Sequence, residues 1–227
     1  MKKIFFSVLI VLIVSEARSQ ANLTGMYGYS MPLENTVSEK EKSAVPGGRL
    51  ILIKIEGNQY RFWLDVLTGP PGYNRGETDG IITFVNDTAS FDNTYEDAEN
   101  PCILKFQRKG KTISINSQST SFNCGFGNGV SADGEFTWLE KQETLNNEWL
   151  KKQYLNAPVL EIKSGKAQLY HDQDGFQSFY PKKYLSKNDS FMNIAETETT
   201  VYTEFIDAVG NLTWGWIRKS DIKSASE

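Results

Sequence analysis

Histidine is almost absent from this chain of 227 residues, and that absence argues against most hydrolytic catalysis. The single histidine, His171, lies in Tyr-His-Asp-Gln-Asp-Gly, a sequence typical of an exposed turn. A Ser-His-Asp or Cys-His arrangement would require that turn to meet a nucleophile in a pocket. We therefore expect that the protein is not an enzyme.

Cysteine is nearly absent too. Cys102 and Cys124 are the only two, and they have neither Cys-x-x-Cys spacing nor a histidine beside them. This argues against the common zinc and redox motifs and favours a structural disulfide, which would stabilise the fold by roughly 3 kcal/mol. The stretch 172–175, Asp-Gln-Asp-Gly, lacks the third oxygen ligand and the distal glutamate of a calcium loop. We expect a plain turn there, no metal and no cofactor.

An apolar run long enough to span a membrane is also missing. Residues 4–14 are apolar with one exception, follow two lysines and precede Ala17 and Ser19. Such a run is shorter than the roughly 20 residues of a membrane span but is typical of a cleavable secretory signal. We expect cleavage after Ser19 and a secreted or periplasmic protein without a membrane span.

Basic clusters are absent as well, which bears on the partners. The formal net charge is −4, and removal of residues 1–19 takes away three basic residues and one acidic residue, which gives about −6. A mildly acidic protein without a basic stripe lacks the electrostatic footprint of a nucleic-acid-binding protein. We expect no nucleic-acid partner.

Short runs of β-branched and aromatic residues, separated by Gly, Asn, Asp and Pro, dominate residues 23–140. The clearest hairpin is RLILIKIE (49–56) and QYRFWLDV (59–66) around Gly57-Asn58. Further strands are expected at 23–29, 80–85, 88–93, 102–107, 112–117 and 134–139. About eight meandering strands predict an antiparallel barrel or sandwich with one disulfide. Residues 31–48 and 67–76 are expected to be long surface loops, which either carry binding residues or are tolerated insertions.

Residues 141–156 contain neither glycine nor proline, and Leu145, Trp149 and Leu150 have helix-like spacing. This predicts a short helical connector, which Ala157-Pro158 would end. The predicted organisation is a signal peptide at 1–19, a β domain at 20–140, the connector at 141–156 and a second domain at 157–227. The composition of the connector predicts that the two domains are separately stable.

The last seventy residues contain a characteristic order of short motifs. AQLY at 167–170 precedes a polar turn and YLSKND at 184–189, and two predicted strands then lead to WGWI at 214–217 and SDI at 220–222. In this order they resemble a bacterial SH3-like (SH3b) domain, although Val201-Tyr202 stand where that family often has a tryptophan. The resemblance implies a small β-barrel that binds cell-wall peptides or protein partners.

Side-chain alternation predicts a binding face on the strand around 212–218. Leu212, Trp214, Trp216 and Arg218 share one face, whereas Ile217 lies on the other and, in the SH3-like pattern, enters the core. Trp214 and Trp216 would then point outward, with Gly215 allowing a close approach of the neighbouring chain. Tyr170 and Tyr184 are candidates to extend the platform. The alternative is that the indoles pack against the connector or the barrel.

The predicted function is an exported, non-catalytic binding protein of the cell envelope or extracellular space, whose partner is a cell-wall peptide or an envelope protein. The alternative is an inhibitor of a secreted hydrolase such as lysozyme, because the first domain is loosely similar in architecture to the small barrels of lysozyme inhibitors. A third reading, a weak glycosidase, would use two carboxylates of the acidic cluster Asp92, Glu96, Asp97 and Glu99. Clustered loop acids are more often a solvated turn.

Overall fold

The computed structural model of the protein describes residues 22–30, 46–69, 72–95 and 97–223. The predicted signal at 1–19, residues 31–45 and 70–71 of the predicted loops, and Glu96 lie outside the described residues. Within those ranges the chain is mostly β-strand with one α-helix, which confirms the predicted all-β class. No helix of the described part is long and apolar enough to cross a membrane.

The first eight strands form one antiparallel sheet. They are β1 Gly25–Ser30, β2 Gly47–Glu56, β3 Gln59–Leu67, β4 Arg75–Thr83, β5 Thr88–Asp92, β6 Ile103–Lys109, β7 Thr112–Ser117 and β8 Gly134–Trp138. Neighbours pair in the order β4-β3-β2-β1-β8-β7-β6-β5, and the sheet curls until β5 lies beside β4. At this seam a Cβ on Gly80 would lie only 2.4 Å from the ring of Phe91. The predicted barrel is confirmed and is nearly closed.

β4 begins earlier than the sequence predicts. The loop expected at 67–76 is shorter than predicted, because β4 already starts at Arg75, which pairs with Leu67 of β3. The inward positions Gly76 and Gly80 have no side chain, and the rings of Phe126 and Phe91 fill the space above them. This strand therefore carries little of the apolar alternation by which strands are recognised.

Aromatic side chains fill the barrel. Phe62, Phe84, Phe106 and Phe136 are fully buried, and the rings of Phe62 and Phe106 meet edge to face with centroids 5.3 Å apart. Burying each such side chain contributes about 1.5–3 kcal/mol. The interior is a packed core, so binding sites are expected at the ends and on the outer surface.

A disulfide-tied segment closes one end of the barrel. Cys102 and Cys124 are bonded, as predicted, which joins the start of β6 to the 3₁₀ helix Ser121–Cys124. Phe126 and Val130 follow and are buried in the same core as the barrel side chains. Residues 118–133 therefore plug this end.

The two ends of the barrel differ in the length of their connections. At one end, residues 57–58, 84–87 and 110–111 form short turns. At the other end the described connections are longer and comprise residues within 68–74, 93–102 and 118–133. We call the described parts of these three connections the loop end. Long connections on a rigid scaffold commonly carry binding residues.

A second apolar cluster lies on the outer face of β2. Ile51, Ile53 and Ile55 point away from the barrel interior and are buried. They are covered by Trp149 and Leu150 of the helix α1, Asn147–Gln153, and by residues that follow it. The helix lies inside the predicted connector and is N-capped by Asn146, whose side chain accepts a hydrogen bond of 2.9 Å from the Trp149 N–H.

The chain after the connector forms a small β region, here called the C-terminal region. Its strands are β9 Val159–Glu161, β10 Lys166–Gln168, β11 Tyr184–Ser186, β12 Ser190–Met192, β13 Ala195–Glu196, β14 Thr200–Ile206 and β15 Leu212–Arg218. It has a core of its own around Leu169, Val201 and Ile217, but Ile206 and Leu212 belong to the cluster on β2. The barrel and the C-terminal region thus share buried surface. The domain boundaries and the SH3-like resemblance stay predictions.

Candidate binding site

The strand β15 places its two tryptophans at the boundary with the barrel. Ile217 is fully buried in the C-terminal core, as the alternation predicts. The opposite face does not simply point to solvent, because Leu212 is buried in the cluster on β2 and Trp214 packs against both clusters. Trp216 is partly buried. Trp214 therefore does not point outward as expected. Its packing fits the alternative, in which the indole lies against the connector and the barrel.

Gly215 allows the predicted close approach. Tyr170 and Trp216 exchange backbone hydrogen bonds of 2.9 Å in both directions. A Cβ on Gly215 would lie 3.1 Å from the side chains of Leu169 and Phe179. Tyr170 itself is buried, and the guanidinium of Arg218 lies 4.8 Å from its ring centroid. Little of the Tyr170 ring is therefore left for a ligand.

Stacked aromatic rings surround Trp214. Its indole lies 5.2 Å from the ring of Phe179 and 5.3 Å from that of His171, both edge to face. His171 also lies over Phe179 at 3.7 Å, and Trp216 lies 5.3 Å from Tyr202. Such pairs contribute about 0.5–1.5 kcal/mol each beyond their burial. In these contacts the only histidine of the chain acts as a stacking residue.

Three aromatic side chains close to this cluster in sequence face solvent. Phe176 is 79% exposed, Tyr180 is fully exposed and Tyr184 is 45% exposed. Phe176 and Tyr180 were not predicted, because the sequence around them reads as a polar turn, although three aromatic residues within 176–180 could have signalled them. Among the described contacts, none joins Tyr184 to the indoles, and its ring instead lies 5.7 Å from Lys166 Nζ.

The turn before Phe176 is fixed by a carboxylate. Asp172 accepts hydrogen bonds from the backbone N–H groups of Phe176 and Gln177, the former at 3.1 Å. Desolvation opposes ionisation here, but these donors outweigh it and lower the pKa of Asp172. Phe179, three residues after Phe176, is buried, and its ring centroid lies 4.9 Å from Lys183 Nζ. The exposed aromatics therefore sit on an ordered segment.

A buried polar network crosses the boundary between the barrel and the C-terminal region. Glu204 accepts hydrogen bonds from the hydroxyls of Tyr154 at 2.7 Å and Tyr202 at 2.8 Å. Arg61 of β3 brings Nε within 3.0 Å of the same carboxylate, outside hydrogen-bonding geometry, and donates to the Tyr154 hydroxyl at 3.1 Å. Its guanidinium also contacts Asp79.

The network shifts the titration of its members. Burial raises the pKa of Tyr154 and Tyr202, and the Glu204 carboxylate adds to both shifts. Burial alone would lower the pKa of Arg61, but Glu204, Tyr154 and Asp79 raise it instead. The arginine therefore stays charged, and the tyrosines stay neutral far into alkaline solution.

The loop end is the second exposed aromatic surface. Tyr73, Tyr95 and Phe122 are exposed there. The segment 118–133 is bonded to both of its neighbours, because Asn74 Nδ2 donates to the carbonyl of residue 128 at 2.6 Å and Asn123 Nδ2 donates to that of residue 101 at 3.1 Å. Three connections therefore form one surface.

Two acidic residues of the stretch 92–99, Asp92 and Asp97, accept hydrogen bonds in turns. Asp92 accepts a hydrogen bond from the Thr94 N–H at 2.9 Å, and the Thr94 hydroxyl and N–H lower the pKa of that carboxyl. Asp97 accepts from the Asn100 N–H at 2.9 Å. No group of three or more His, Cys, Asp or Glu side chains in the described residues is arranged to hold a metal ion. Asp92 and Asp97 therefore act as turn residues.

No family model, curated protein or solved structure matches this chain.

Proposed function

We propose that the protein is an exported, non-catalytic binding protein of the cell envelope or extracellular space, and that its SH3-like C-terminal region recognises a cell-wall peptide or a protein partner. The observation that carries this proposal is the exposure of Phe176, Tyr180 and Tyr184 within one stretch of nine residues. Exposed aromatic side chains that lie close together on an ordered segment are candidates for an interaction site, because aromatic residues dominate binding energy at such sites.

The base beneath this surface is ordered, which favours binding. Phe179 lies between Phe176 and Tyr180 in sequence but points inward, where it contacts Trp214 and His171. Asp172 fixes the preceding turn. An ordered segment loses less conformational entropy when a partner binds than a disordered one does.

A lysine beside this surface indicates the charge of the ligand. Lys166 Nζ lies 5.7 Å from the ring centroid of Tyr184, whereas Lys183, over the buried ring of Phe179, contacts Glu56 of the barrel. An exposed aromatic ring flanked by an ammonium group suits an extended ligand that combines apolar groups with carboxylates. A peptide with free carboxylates, such as the stem peptide of a cell wall, has this chemistry.

Co-sedimentation with insoluble peptidoglycan tests the peptide, and affinity capture from envelope extract tests a protein partner. In whichever assay detects binding, the double variant Phe176→Ala/Tyr180→Ala is expected to bind with at least tenfold lower affinity. Val209→Ala is the matched control, because Val209 is also exposed but lies in the β14–β15 turn. The proposal fails if neither assay detects binding, or if the double variant and the control bind alike.

An inhibitor of a secreted hydrolase is the second candidate, and the loop end supports it. Phe122 is 69% exposed and is held by the disulfide two residues later in the chain, as an inserting side chain would need to be. Inhibition of lysozyme activity at micromolar protein, lost in Phe122→Ala, would favour this candidate. Full lysozyme activity at that concentration would remove lysozyme as the target.

A further inference from the structure

A concave site lies at the loop end, apart from the exposed aromatic residues of the C-terminal region. Its volume is about 370 Å³, within the roughly 300–1,000 Å³ of small-ligand sites. Phe122 and Asp133 line it together with five residues that carry hydroxyl groups, namely Ser117, Ser119, Thr120, Ser121 and Ser131. Some of these hydroxyls also bond within the protein: that of Thr120 donates to Asn123 Oδ1, and those of Ser119 and Ser131 accept from the backbone N–H groups of Ile103 and Asp133.

The wall of this site is held in place by covalent and hydrogen bonds. The Ser117 N–H donates to Asp133 Oδ1 at 2.6 Å, and the Ser117 hydroxyl donates to the carbonyl of Ser119 at 2.9 Å. Cys124, bonded to Cys102, ends the 3₁₀ helix that contains Phe122. Both edges of the site are therefore fixed before any ligand arrives, which lowers the entropic cost of binding.

The charges of the lining residues restrict the ligand. Asp133 is the only ionisable side chain among the described lining residues, and no lysine or arginine lines the site. A phosphate or carboxylate would meet an uncompensated negative charge there. Asp133 Oδ1 accepts the hydrogen bond from the Ser117 N–H, whereas Oδ2 accepts none from the described residues. One carboxylate oxygen and a row of hydroxyls suit a neutral ligand rich in hydroxyl groups.

Phe122 supplies the apolar contact that such a ligand needs. Its ring is mostly exposed, although the neighbouring Cys124 is buried. The C–H groups on one face of a pyranose form an apolar patch that packs on an aromatic ring, while its hydroxyls bond to polar groups at the edge. We infer that this site binds a neutral oligosaccharide. The inference does not depend on the proposed binding by the C-terminal region, and it shares Phe122 with the inhibitor candidate.

Saturation-transfer NMR with the full chain tests this inference, and triacetylchitotriose, cellotriose and maltotriose are the probes. At least one is expected to bind, and Phe122→Ala is expected to weaken that binding at least tenfold and Asp133→Asn at least threefold. Phe122→Leu keeps an apolar side chain without the ring and is expected to behave like Phe122→Ala, which separates stacking from general packing. Unfolding midpoints of the three variants are measured alongside.

The matched control is Phe176→Ala, an exposed phenylalanine on the C-terminal region, which is expected to bind the saccharide unchanged. The inference is overturned if no probe binds, if Phe122→Leu binds as the parent does, or if Phe176→Ala abolishes saccharide binding. Binding to peptidoglycan or envelope proteins is assigned to Phe176 and Tyr180, and trisaccharide binding to Phe122. Each proposal can therefore fail in its own assay while the other is still tested.

Discussion

Removing the charge at Glu204 tests the buried network between the barrel and the C-terminal region. The Glu204 side chain is fully buried, and the Arg61 side chain is 11% exposed. Glu204→Leu would leave the guanidinium of Arg61 with Asp79, whose side chain is about half exposed, as its remaining acidic partner, beside the neutral Tyr154 hydroxyl. It would also remove the acceptor of two tyrosine hydroxyls.

The expected cost follows from what is left buried. Breaking a buried ion pair by removing one partner typically costs about 3–5 kcal/mol, because the remaining charge is uncompensated. We expect this loss for Glu204→Leu and for Arg61→Leu. In the double variant no buried charge remains, and the two tyrosine hydroxyls lose about 1 kcal/mol each. The double variant should therefore lose about 2 kcal/mol, less than either single variant.

Urea unfolding followed by tryptophan fluorescence and far-UV circular dichroism measures these differences. Lys183→Met is the matched control, because Lys183 contacts Glu56 across the same boundary at 3.5 Å but Glu56 is mostly exposed. Exposed pairs contribute about 0–1 kcal/mol, so this control should unfold almost as the parent does. The reasoning is refuted if Glu204→Leu costs less than 1 kcal/mol, or if the double variant loses as much as the two single variants together.

Four further outcomes are expected. Replacing Cys102 and Cys124 by alanine should lower the free energy of unfolding by roughly 3 kcal/mol in urea; an unchanged midpoint would contradict the role of the plug. Gly76→Ala should destabilise the barrel by about 1–3 kcal/mol, because the new Cβ would lie 2.4 Å from the Phe126 ring, whereas Gly165→Ala, with no atom within 4 Å, should change thermal stability by less than about 1 kcal/mol. The raised pKa values of Tyr154 and Tyr202 stabilise the fold fully below their ordinary value of 10, and this stability should be lost as pH rises above it, at about 1.4 kcal/mol per tyrosine per pH unit. Absorbance at 295 nm should show these two tyrosines ionising only with unfolding, and ionisation in the folded state would contradict their burial. A fragment of residues 157–227 should unfold less cooperatively than the full chain, because it exposes Ile206, Leu212 and Met192; a sharp transition at the same temperature as the full chain would instead support the sequence-based prediction that the two domains are separately stable.

The barrel was predictable because its strands carry local signals. β3 alternates buried and partly buried residues along its whole length, and Gly57-Asn58 gives the hairpin turn. β2 carried a further signal that was not used. Its run from Leu50 to Ile53 is apolar without alternation, and all four residues are buried. A strand that is apolar on both faces must be covered on its outer side as well.

The aromatic face of the C-terminal region was less predictable, because alternation shows which side chains share a face but not what lies opposite. Leu212 and Trp214 were assigned to one face correctly. Whether that face meets solvent or β2 depends on how the connector returns the chain to the barrel. The exposed Phe176 and Tyr180 were not predicted, because they follow a polar turn in a stretch that has no strand-like alternation.

Glu204 shows why tertiary contacts decide the character of this boundary. In β14 its sequence neighbours are Thr203 and Phe205, and nothing local distinguishes it from an exposed strand glutamate. It is buried because Arg61, which is more than a hundred residues earlier in the chain, lies at the same point of the boundary. Apolar contacts between Ile53, Trp149 and Leu212 can be satisfied in several relative positions of two packed surfaces. An ion pair with two further hydrogen bonds cannot, so the network favours one arrangement of the barrel and the C-terminal region over its neighbours.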